Sequence, residues 1–219
     1  MGTLYVVSTP IGNLEDMSLR AIRVLKEVDL IAAEDTRRAS ILCGEYAIST
    51  KLTSYHSYNI GKRTPELVRM LSEGMNIALI SDSGTPGISD PGSVLISECI
   101  KADVPVTAIP GPSAAITALT LSGRPTASFV FEGFLSSKPS RRRKHLEKLK
   151  DEERTVVLYE SPHRLVKFLE DCRDILGERQ IAVARELTKK FEEVKRGTPG
   201  ELAAYFAENK PRGEFIIVF

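Results

Sequence analysis

The feature that most constrains the fold of this chain is an alternation of short apolar runs with longer segments of helical period. In the first half the apolar runs are Leu4–Ser8, Leu30–Ala33, Ile77–Ile80 and Val104–Ile109. After the first run, Ser18 can cap a helix whose apolar residues, from Leu19 to Val28, recur at a spacing of about 3.6 residues. Apolar strands that alternate with helices are typical of a parallel sheet covered by helices. The first half therefore predicts an α/β domain.

The pattern changes after residues 123–125, and this change predicts a second domain. Gln180–Ala184 and Phe191–Lys195 are joined by a connection too short for a crossover helix, so we expect them to pair antiparallel. Further strands of this half are predicted at Phe129–Phe134, Thr155–Tyr159 and Phe215–Phe219, and helix starts at Ser161-Pro162 and Thr198-Pro199. In the first half, Thr64-Pro65 also predicts the start of a helix. We therefore expect a mainly parallel N-terminal domain over residues 1–120 and a mixed-sheet C-terminal domain over residues 121–219.

The composition argues against several classes of protein. Hydrophobic residues make up 42% of the 219 residues and charged residues 27%, which is ordinary for a globular protein. No apolar run approaches the ~20 residues that a membrane span needs, and the N-terminus lacks the pattern of a signal peptide. We therefore expect a cytoplasmic protein with no membrane partner. Cys43, Cys99 and Cys172 form no CxxC pair and the histidines lack metal-binding spacing, so we expect buried thiols and no metal.

Four loops rich in glycine, proline and polar residues follow the predicted strands of the first half. They are Thr9–Asn13, Glu34–Arg37, Ser81–Gly92 and Pro110–Ser113. Ligands bind beyond the carboxyl ends of parallel strands, so we expect the four loops to form a ligand site. A phosphate cradle is one alternative, although the lysine of a Walker loop is absent; a set of tight surface turns is the other.

Polar clusters also follow strands in both halves. Capping of a helix by Asp35 or Thr36 explains part of the 34–37 cluster, but it leaves Glu34 unexplained at the end of a buried strand. In the second half the clusters are Glu160–Arg164 and Arg185–Lys190. We expect these carboxylates and cations to take part in a site.

A basic segment between Lys138 and Lys150 predicts a polyanion partner. With Ser140 as its N-cap, Arg141, Arg142, Arg143 and Lys144 occupy the first helical turn. There they oppose the helix dipole at about 0.3–1 kcal/mol each. Phosphates placed against this turn would compensate that energy; an ordinary solvated face is the alternative.

The order of these motifs resembles that of the S-adenosylmethionine (SAM)-dependent tetrapyrrole methylase superfamily, and within it the branch that methylates ribosomal RNA. The motifs are STPIGNL at 8–14, AEDTR at 33–37, SDSGTPGISDPG at 81–92, PGPSA at 110–114, ESPHR at 160–164, RELTK at 185–189 and GEF at 213–215. The resemblance implies two α/β/α domains with SAM in the cleft between them, in a homodimer. It also implies 2′-O-methylation of a cytidine in the decoding region of 16S ribosomal RNA, as naked RNA or in the assembled 30S subunit.

The resemblance also assigns residues. The implied SAM pocket comprises Pro10, Asp82, Gly84, Thr85, Ile88, Ser113, Ala114, Tyr159, Leu187 and Glu214. Candidate catalytic residues are Glu34, Asp35, Arg37, Glu160, Arg185, Glu186 and Lys189. The general base is one of Glu34, Asp35, Glu160, Glu186 and Lys189, while Arg37, Arg164 and Arg185 are candidates for holding phosphates. Candidate RNA-binding residues are Arg141, Arg142, Arg143, Lys144, His163 and Arg164.

Two other functions remain open at this point. A corrin or porphyrin methylase would use the same fold on a flat macrocycle and would need no arginine-rich helix. A non-catalytic RNA-binding protein that kept the fold would have no affinity for SAM. Members of the branch commonly continue past the last strand into a small helical extension, whereas this sequence ends at Phe219.

Overall fold

The computed structural model describes residues 1–219, and ten strands form two five-stranded sheets, one in each half of the chain. The chain divides into two units, Met1–Ser113 and Ala114–Phe219. The predicted boundary after residue 120 falls inside a helix, Ala114–Ser122, that packs on strands of the second sheet. No helix combines the length and apolar character needed to cross a membrane.

The first unit contains a wholly parallel sheet. Its strands are Leu4–Val7 (β1), Leu30–Ala33 (β2), Leu52–Ser54 (β3), Ile77–Ile80 (β4) and Val106–Ile109 (β5), in the order β3-β2-β4-β1-β5. The predicted parallel α/β pattern is confirmed. The edge strand β3 was not predicted, because it is only three residues long and half-buried, so no apolar run marks it. In a parallel sheet all carboxyl ends share one edge, and this edge carries the loops described below.

Helices cover both faces of the first sheet. They are Leu19–Glu27 (α1), Thr36–Glu45 (α2), Ile60–Ser72 (α3) and Gly92–Lys101 (α4), with a short 3₁₀ turn at Leu14–Asp16. Successive strand residues alternate between two cores, as in β2, where Ile31 packs with α1 and α2 residues and Leu30 with α3 and α4 residues. Ser18 caps α1 by accepting a hydrogen bond from the Ala21 amide, as predicted.

The predicted start of α3 at Thr64-Pro65 is wrong. The helix begins at Ile60, after Asn59, and Pro65 lies inside it. Proline is most common in the first turn because it has no amide hydrogen to donate, but here it lies one turn further in. Its missing hydrogen bond would have reached the carbonyl of Gly61, and the absence of a side chain there leaves open space beside the backbone.

The second unit contains a mixed sheet, as predicted. Its strands are Phe129–Phe134 (β6), Thr155–Glu160 (β7), Ile181–Arg185 (β8), Glu193–Gly197 (β9) and Phe215–Val218 (β10), in the order β6-β7-β10-β8-β9. Only β6 and β7 run parallel; the predicted antiparallel pairing of the short-linked strands β8 and β9 is confirmed. The end of β7, the end of β8 and the start of β10 therefore meet at one edge.

Helices also lie on both faces of the second sheet. They are Ala114–Ser122 (α5), Pro139–Leu149 (α6), Leu165–Leu176 (α7) and Pro199–Glu208 (α8). One face packs with α6, α7 and α8 around Phe168, Phe206 and Phe215. The helix α5 contacts strands β7 to β10. Helix α8 starts at Pro199 with a capping box between Thr198 and Glu201, which confirms its predicted start, whereas α7 starts at Leu165, later than predicted.

Candidate functional site

The loops at the carboxyl edge of the first sheet are joined to one another by hydrogen bonds. The β1 and β4 loops form a two-way bridge, in which the Thr9 amide donates to Gly84 O at 2.9 Å and the Gly84 amide donates to Thr9 O at 3.1 Å. Thr85 Oγ1 lies 3.1 Å from Ser8 Oγ and donates to the carbonyl of Pro112 at 3.2 Å. The predicted convergence of the glycine-proline loops is therefore present within the first unit.

Two glycines make this close approach possible. A Cβ on Gly111 would lie 2.9 Å from the Cβ of Ser8, so only glycine fits where the β5 loop crosses the β1 loop. Gly84 has φ +78, a conformation that side chains rarely adopt. The loop 81–92 is held further by Asp90, whose carboxylate accepts from the Gly87 amide at 2.9 Å and the Gly92 amide at 2.7 Å. The result is a backbone surface that is shaped before any ligand binds.

Carboxylates from the β2 and β4 loops lie together at the same edge. Asp82 accepts a hydrogen bond from the Asp35 amide at 3.0 Å and forms an ion pair with Arg38 at 3.2 Å. Glu34 in turn accepts from the Asp82 amide at 3.5 Å. Asp35 caps helix α2 by accepting a hydrogen bond from the Arg37 amide, so helix capping accounts for the position of Asp35. Capping does not account for Glu34 at the end of its buried strand.

Their surroundings shift the pKa values of Glu34 and Asp35 in opposite directions. Burial, and then the nearby Asp82 carboxylate, raise the pKa of Glu34 above its ordinary value. Hydrogen bonds from the Arg37 side chain and amide hold the pKa of Asp35 far below its usual range. Glu34 is thus the better proton acceptor of the pair, while Asp35 stays ionised and bound to Arg37.

At the edge of the second sheet, Glu160 and Arg164 form a buried ion pair. Glu160 is 2% exposed, and its Oε1 accepts from Arg164 Nε and from the Ser161 amide. Arg164 also donates to the carbonyl of Leu135 at 3.1 Å, which links this pair to the end of β6. Arg164 is therefore paired within its own unit, while Glu160 Oε2 is buried without a hydrogen-bond partner.

Glu186, Lys189 and Glu214 form a second charged cluster at this edge. Lys189 Nζ lies 2.8 Å from Glu186 Oε1 and 3.0 Å from Glu214 Oε2. Glu186 has φ +49 and Thr188 φ +66, which is strained for residues with side chains. Gly213 leaves room for the Glu186 carboxylate, because a Cβ there would collide with it. Such strain is typical of functional sites.

The charges in this cluster hold Lys189 protonated. Burial acts to lower the pKa of Lys189, but hydrogen bonds to Glu186 and Glu214 outweigh it and the pKa is raised. Burial likewise acts to raise the pKa of Glu186, while the Lys189 ammonium and the Glu214 amide bring the net pKa below its ordinary value. Neither group is suited to accept a proton near neutral pH.

Among the remaining predicted pocket residues of the second unit, Tyr159 lies on the face that α5 covers. Tyr159 is hydrogen-bonded to the backbone of Ala115 in the first turn of α5, and burial raises the pKa of its phenol. Leu187 is 4% exposed. The neighbouring Thr188 Oγ1 is buried without a hydrogen-bond partner, which leaves a polar atom available to a ligand.

The basic helix differs from its prediction in two ways. Its N-cap is Lys138 rather than Ser140, so only Arg141 and Arg142 of the four predicted cations lie among the first four residues of the helix. Arg142 is 4% exposed and forms an ion pair with Asp171 at 2.6 Å, and Arg143 contacts Asp171 and Asp174 on α7. The expectation of four exposed cations is therefore wrong for Arg142. No local sequence pattern marks this ion pair, because Asp171 lies 29 residues from Arg142.

Arg141, Lys144 and Lys148 remain exposed on α6. At 3.6 residues per turn they lie within about 60° of one another around the helix axis. His163 is also exposed, beyond the end of β7. The structure thus offers a stripe of three cations, which we call the α6 stripe, where the sequence suggested a cluster.

Other predicted residues are held by neighbours within their own unit. Arg37 is paired with Asp35, and Arg185 lies 3.7 Å from Glu193 and donates to the carbonyl of Arg212. Ile88 is 46% exposed beyond the β4 strand end. Ser8, Arg38 and Asp90 were missed as site residues. Only Asp90 had a sequence signal, its place among glycines and prolines in the 81–92 loop.

Similarity to known proteins identifies the family of this chain. The family described as Tetrapyrrole (Corrin/Porphyrin) Methylases matches residues 3–203. The chain belongs to the tetrapyrrole methylase family. It is 54% identical over 219 residues to the "Ribosomal RNA small subunit methyltransferase I" of Synechocystis sp., covering 100% of this chain and 78% of that protein. The protein of the same name from Thermotoga maritima is 46% identical to this chain, and the match covers 100% of this chain and 98% of that protein.

The solved structures agree at the level of the fold. The uroporphyrin-III-C-methyltransferase of Thermus thermophilus has a TM-score of 0.69 over 100% of this chain and 94% of its own, at 20% identity. As a tetrapyrrole methylase, the present chain is a SAM-dependent methyltransferase. Within the first unit, the 81–92 loop presents preshaped backbone that fits such a donor. Within the second unit, Thr188 has a buried hydroxyl without a hydrogen-bond partner.

Proposed function

We propose that this enzyme methylates the ribose 2′-oxygen of a cytidine in the decoding region of 16S ribosomal RNA. The observation that carries the proposal is similarity along the whole chain to relatives named for methylation of small-subunit ribosomal RNA, at 54% and 46% identity. The α6 stripe supports a polyanionic substrate, since three exposed cations on one helix face suit phosphates. A macrocycle would need no such stripe, and the solved porphyrin methyltransferase is only 20% identical to this chain, a likeness of the fold.

We assign donor binding to residues of both units. In the first unit these are Pro10, Asp82, Gly84, Thr85, Ile88 and Ser113, and in the second Ala114, Tyr159, Leu187 and Glu214. SAM supplies an electrophilic methyl group on a sulfonium when it is bound. The backbone of the 81–92 loop and the main chain of Leu187 bind and orient the donor, and the rigidity of both segments limits the entropy lost on binding.

Glu34 is the general base in this proposal. A ribose hydroxyl is a weak nucleophile, and removal of its proton by a positioned carboxylate contributes about 10²–10⁴-fold to the rate. Of the five candidates, Asp35 is bound to Arg37, Glu160 is buried with Arg164, and Lys189 stays protonated between Glu186 and Glu214. Glu34 alone combines partial exposure with a raised pKa.

The deciding experiment is methyl transfer from labelled SAM to small ribosomal subunits that lack the modification, followed by mapping of the labelled nucleotide. We expect label on the ribose of one cytidine in the decoding region. Label on a base, or on no RNA at all, would contradict the proposal. Parallel assays with naked 16S RNA decide between free RNA and the assembled 30S subunit, and assays with a porphyrinogen test the macrocycle alternative.

The α6 stripe has its own test. Replacing Arg141, Lys144 and Lys148 together with glutamine should weaken RNA binding and reduce the slope of log K against log salt concentration by about 2. A matched control replaces Lys26, Arg69 and Lys101, three exposed cations near helix C-termini of the first unit. The stripe assignment fails if the two triple variants lose RNA affinity equally. SAM affinity, measured by calorimetry, should be unchanged in both.

We also propose that the enzyme works in the cytoplasm as a homodimer. A cytoplasmic location follows from an RNA substrate of the ribosome, and the dimer is the assembly implied by the sequence resemblance. Sedimentation at micromolar concentration measures whether the protein is a dimer.

A further inference from the structure

Strand β6 contains one residue more than its partner strand accommodates. Along the parallel pair, Phe131 lies opposite Val157, Gly133 opposite Leu158 and Phe134 opposite Tyr159, so Glu132 has no partner. Gly133 has φ +61, the left-handed conformation that glycine tolerates best. This is a β-bulge. Bulges are over-represented beside active sites, where they redirect a side chain.

The bulge changes the direction of Phe134. In a regular strand, residues three apart point to opposite faces of the sheet. Here the extra residue places Phe131 and Phe134 on the same face, where their ring centroids lie 5.0 Å and 5.4 Å from that of Tyr159. Tyr159 lies on the face that α5 covers and is hydrogen-bonded to Ala115. Without the bulge, Phe134 would point away from Tyr159.

Phe134 is the outermost ring of this cluster. Its side chain is 57% exposed, whereas Phe131 and Tyr159 are half-buried. Tyr159 contacts both rings, so Phe134 packs on Tyr159 from one side while its outward surface faces solvent. A ring exposed at the carboxyl edge of a sheet is suited to stack on another flat ring.

The bulge is also tied to the basic helix. The unpaired residue Glu132 lies 3.0 Å from His145 Nε2 on α6. The next residue after Phe134, Leu135, is held through its carbonyl by Arg164. Helix α6, which bears the stripe of exposed cations, starts four residues beyond Leu135, at Pro139. An aromatic platform and backbone-binding cations on one continuous segment are the parts that single-stranded nucleic acid requires.

We propose that Phe134 is a stacking platform for a nucleobase of the RNA substrate. This inference rests on the proposed function and adds a residue that selects for an unstacked nucleotide. Because every base has a flat face, such a platform tolerates different sequences and requires only that the base has left its helix. The adenine of SAM is the other flat ring that could use it, and the experiment separates the two.

The test compares Phe134→Ala with Phe134→Trp, which retains an aromatic face. We expect Phe134→Ala to lower kcat/KM for small subunits lacking the modification about 10- to 100-fold, with the SAM Kd within twofold of the parent enzyme. Phe134→Trp should stay within a few-fold of the parent in both. The matched control is Phe129→Ala, at the opposite end of the same strand and 37% exposed, which should leave kcat/KM unchanged.

Three results would overturn the proposal. Phe134→Ala could retain kcat/KM within twofold, the SAM Kd could weaken by the same factor as kcat/KM, or Phe134→Trp could lose as much as Phe134→Ala. The second result would assign the ring to the donor. If the parent enzyme labels no RNA, the proposed function fails as well. If the parent enzyme labels RNA and Phe134→Ala labels it equally, only the assignment of Phe134 fails.

Discussion

At the scale of single residues, the candidate site shows how neighbours decide what a carboxylate can do. Glu34 and Asp35 are adjacent in sequence, yet their pKa values shift in opposite directions. Hydrogen bonds from Arg37 lower the pKa of Asp35, whereas burial and then Asp82 raise the pKa of Glu34. Sequence analysis identified both as candidates and could not rank them. The ranking depends first on the burial of Glu34 and then on Asp82, which lies beside it because β2 and β4 are neighbours in the sheet.

Replacing Glu34 with glutamine tests this ranking. We expect Glu34→Gln to lower kcat about 10²–10⁴-fold with little change in the SAM Kd. Because folding raises the pKa of Glu34, its ionised form destabilises the folded state, and this penalty grows as pH rises above the unfolded value. Glu34→Gln should therefore have a Tm equal to or above that of the parent at pH 7, with the difference vanishing near pH 4.

The control for this variant is Glu15→Gln, an exposed acid in the first unit. It should leave kcat unchanged. A Glu34→Gln enzyme with full activity, measured by transfer of labelled methyl groups, would exclude Glu34 as the base.

At the scale of secondary-structure elements, the ion pairs between α6 and α7 set which cations reach solvent. Arg142 lies with Leu146 and Leu149 on the buried side of α6, and Asp171 on α7 meets it with side chains 4% and 11% exposed. This pairing turns Arg141, Lys144 and Lys148 outward. Sequence analysis predicted the helix and its charge. It could not predict which face was buried, because the partner acid is on another helix.

We expect Arg142→Ala to reduce the free energy of unfolding by about 1–3 kcal/mol, because Asp171 Oδ2 loses its buried partner while Oδ1 keeps its contact with Arg143. The double variant Arg142→Met with Asp171→Leu should recover most of this loss, since it removes both charges. Arg141→Ala, one residue away and exposed, should stay within about 0.5 kcal/mol. Urea unfolding followed by circular dichroism measures all three. A stable Arg142→Ala variant would show that the ion pair does not hold α6 in place.

At the scale of the whole molecule, the three cysteines report on the two units separately. Cys43 and Cys99 are buried in the first unit and Cys172 in the second, all as free thiols, which confirms the expectation of buried cysteines. Burial, and then the nearby Glu98, raise the pKa of Cys99 to about 11. Burial also raises the pKa of Cys43 and Cys172.

We therefore expect none of the thiols to react with Ellman's reagent at pH 8 in the folded enzyme, at a rate at least ~10³-fold below that of the unfolded chain. In 6–8 M urea all three should react. In variants that keep only Cys99 or only Cys172, the reactivity of the remaining thiol then reports the unfolding of the first or the second unit. Rapid labelling of any thiol in the native enzyme would contradict the burial described here.

Most local elements were predictable from the order of the residues: apolar runs became strands, Ser18 and Thr198 capped helices, and glycine-proline loops followed strand ends. These features depend on contacts within a few residues, which sequence patterns record. Three contacts emerged only once the chain was folded: Glu34 meets Asp82, Asp171 neutralises Arg142, and a bulge directs Phe134 toward Tyr159. Each of these joins residues far apart in the chain, where strand order and helix packing set the distances.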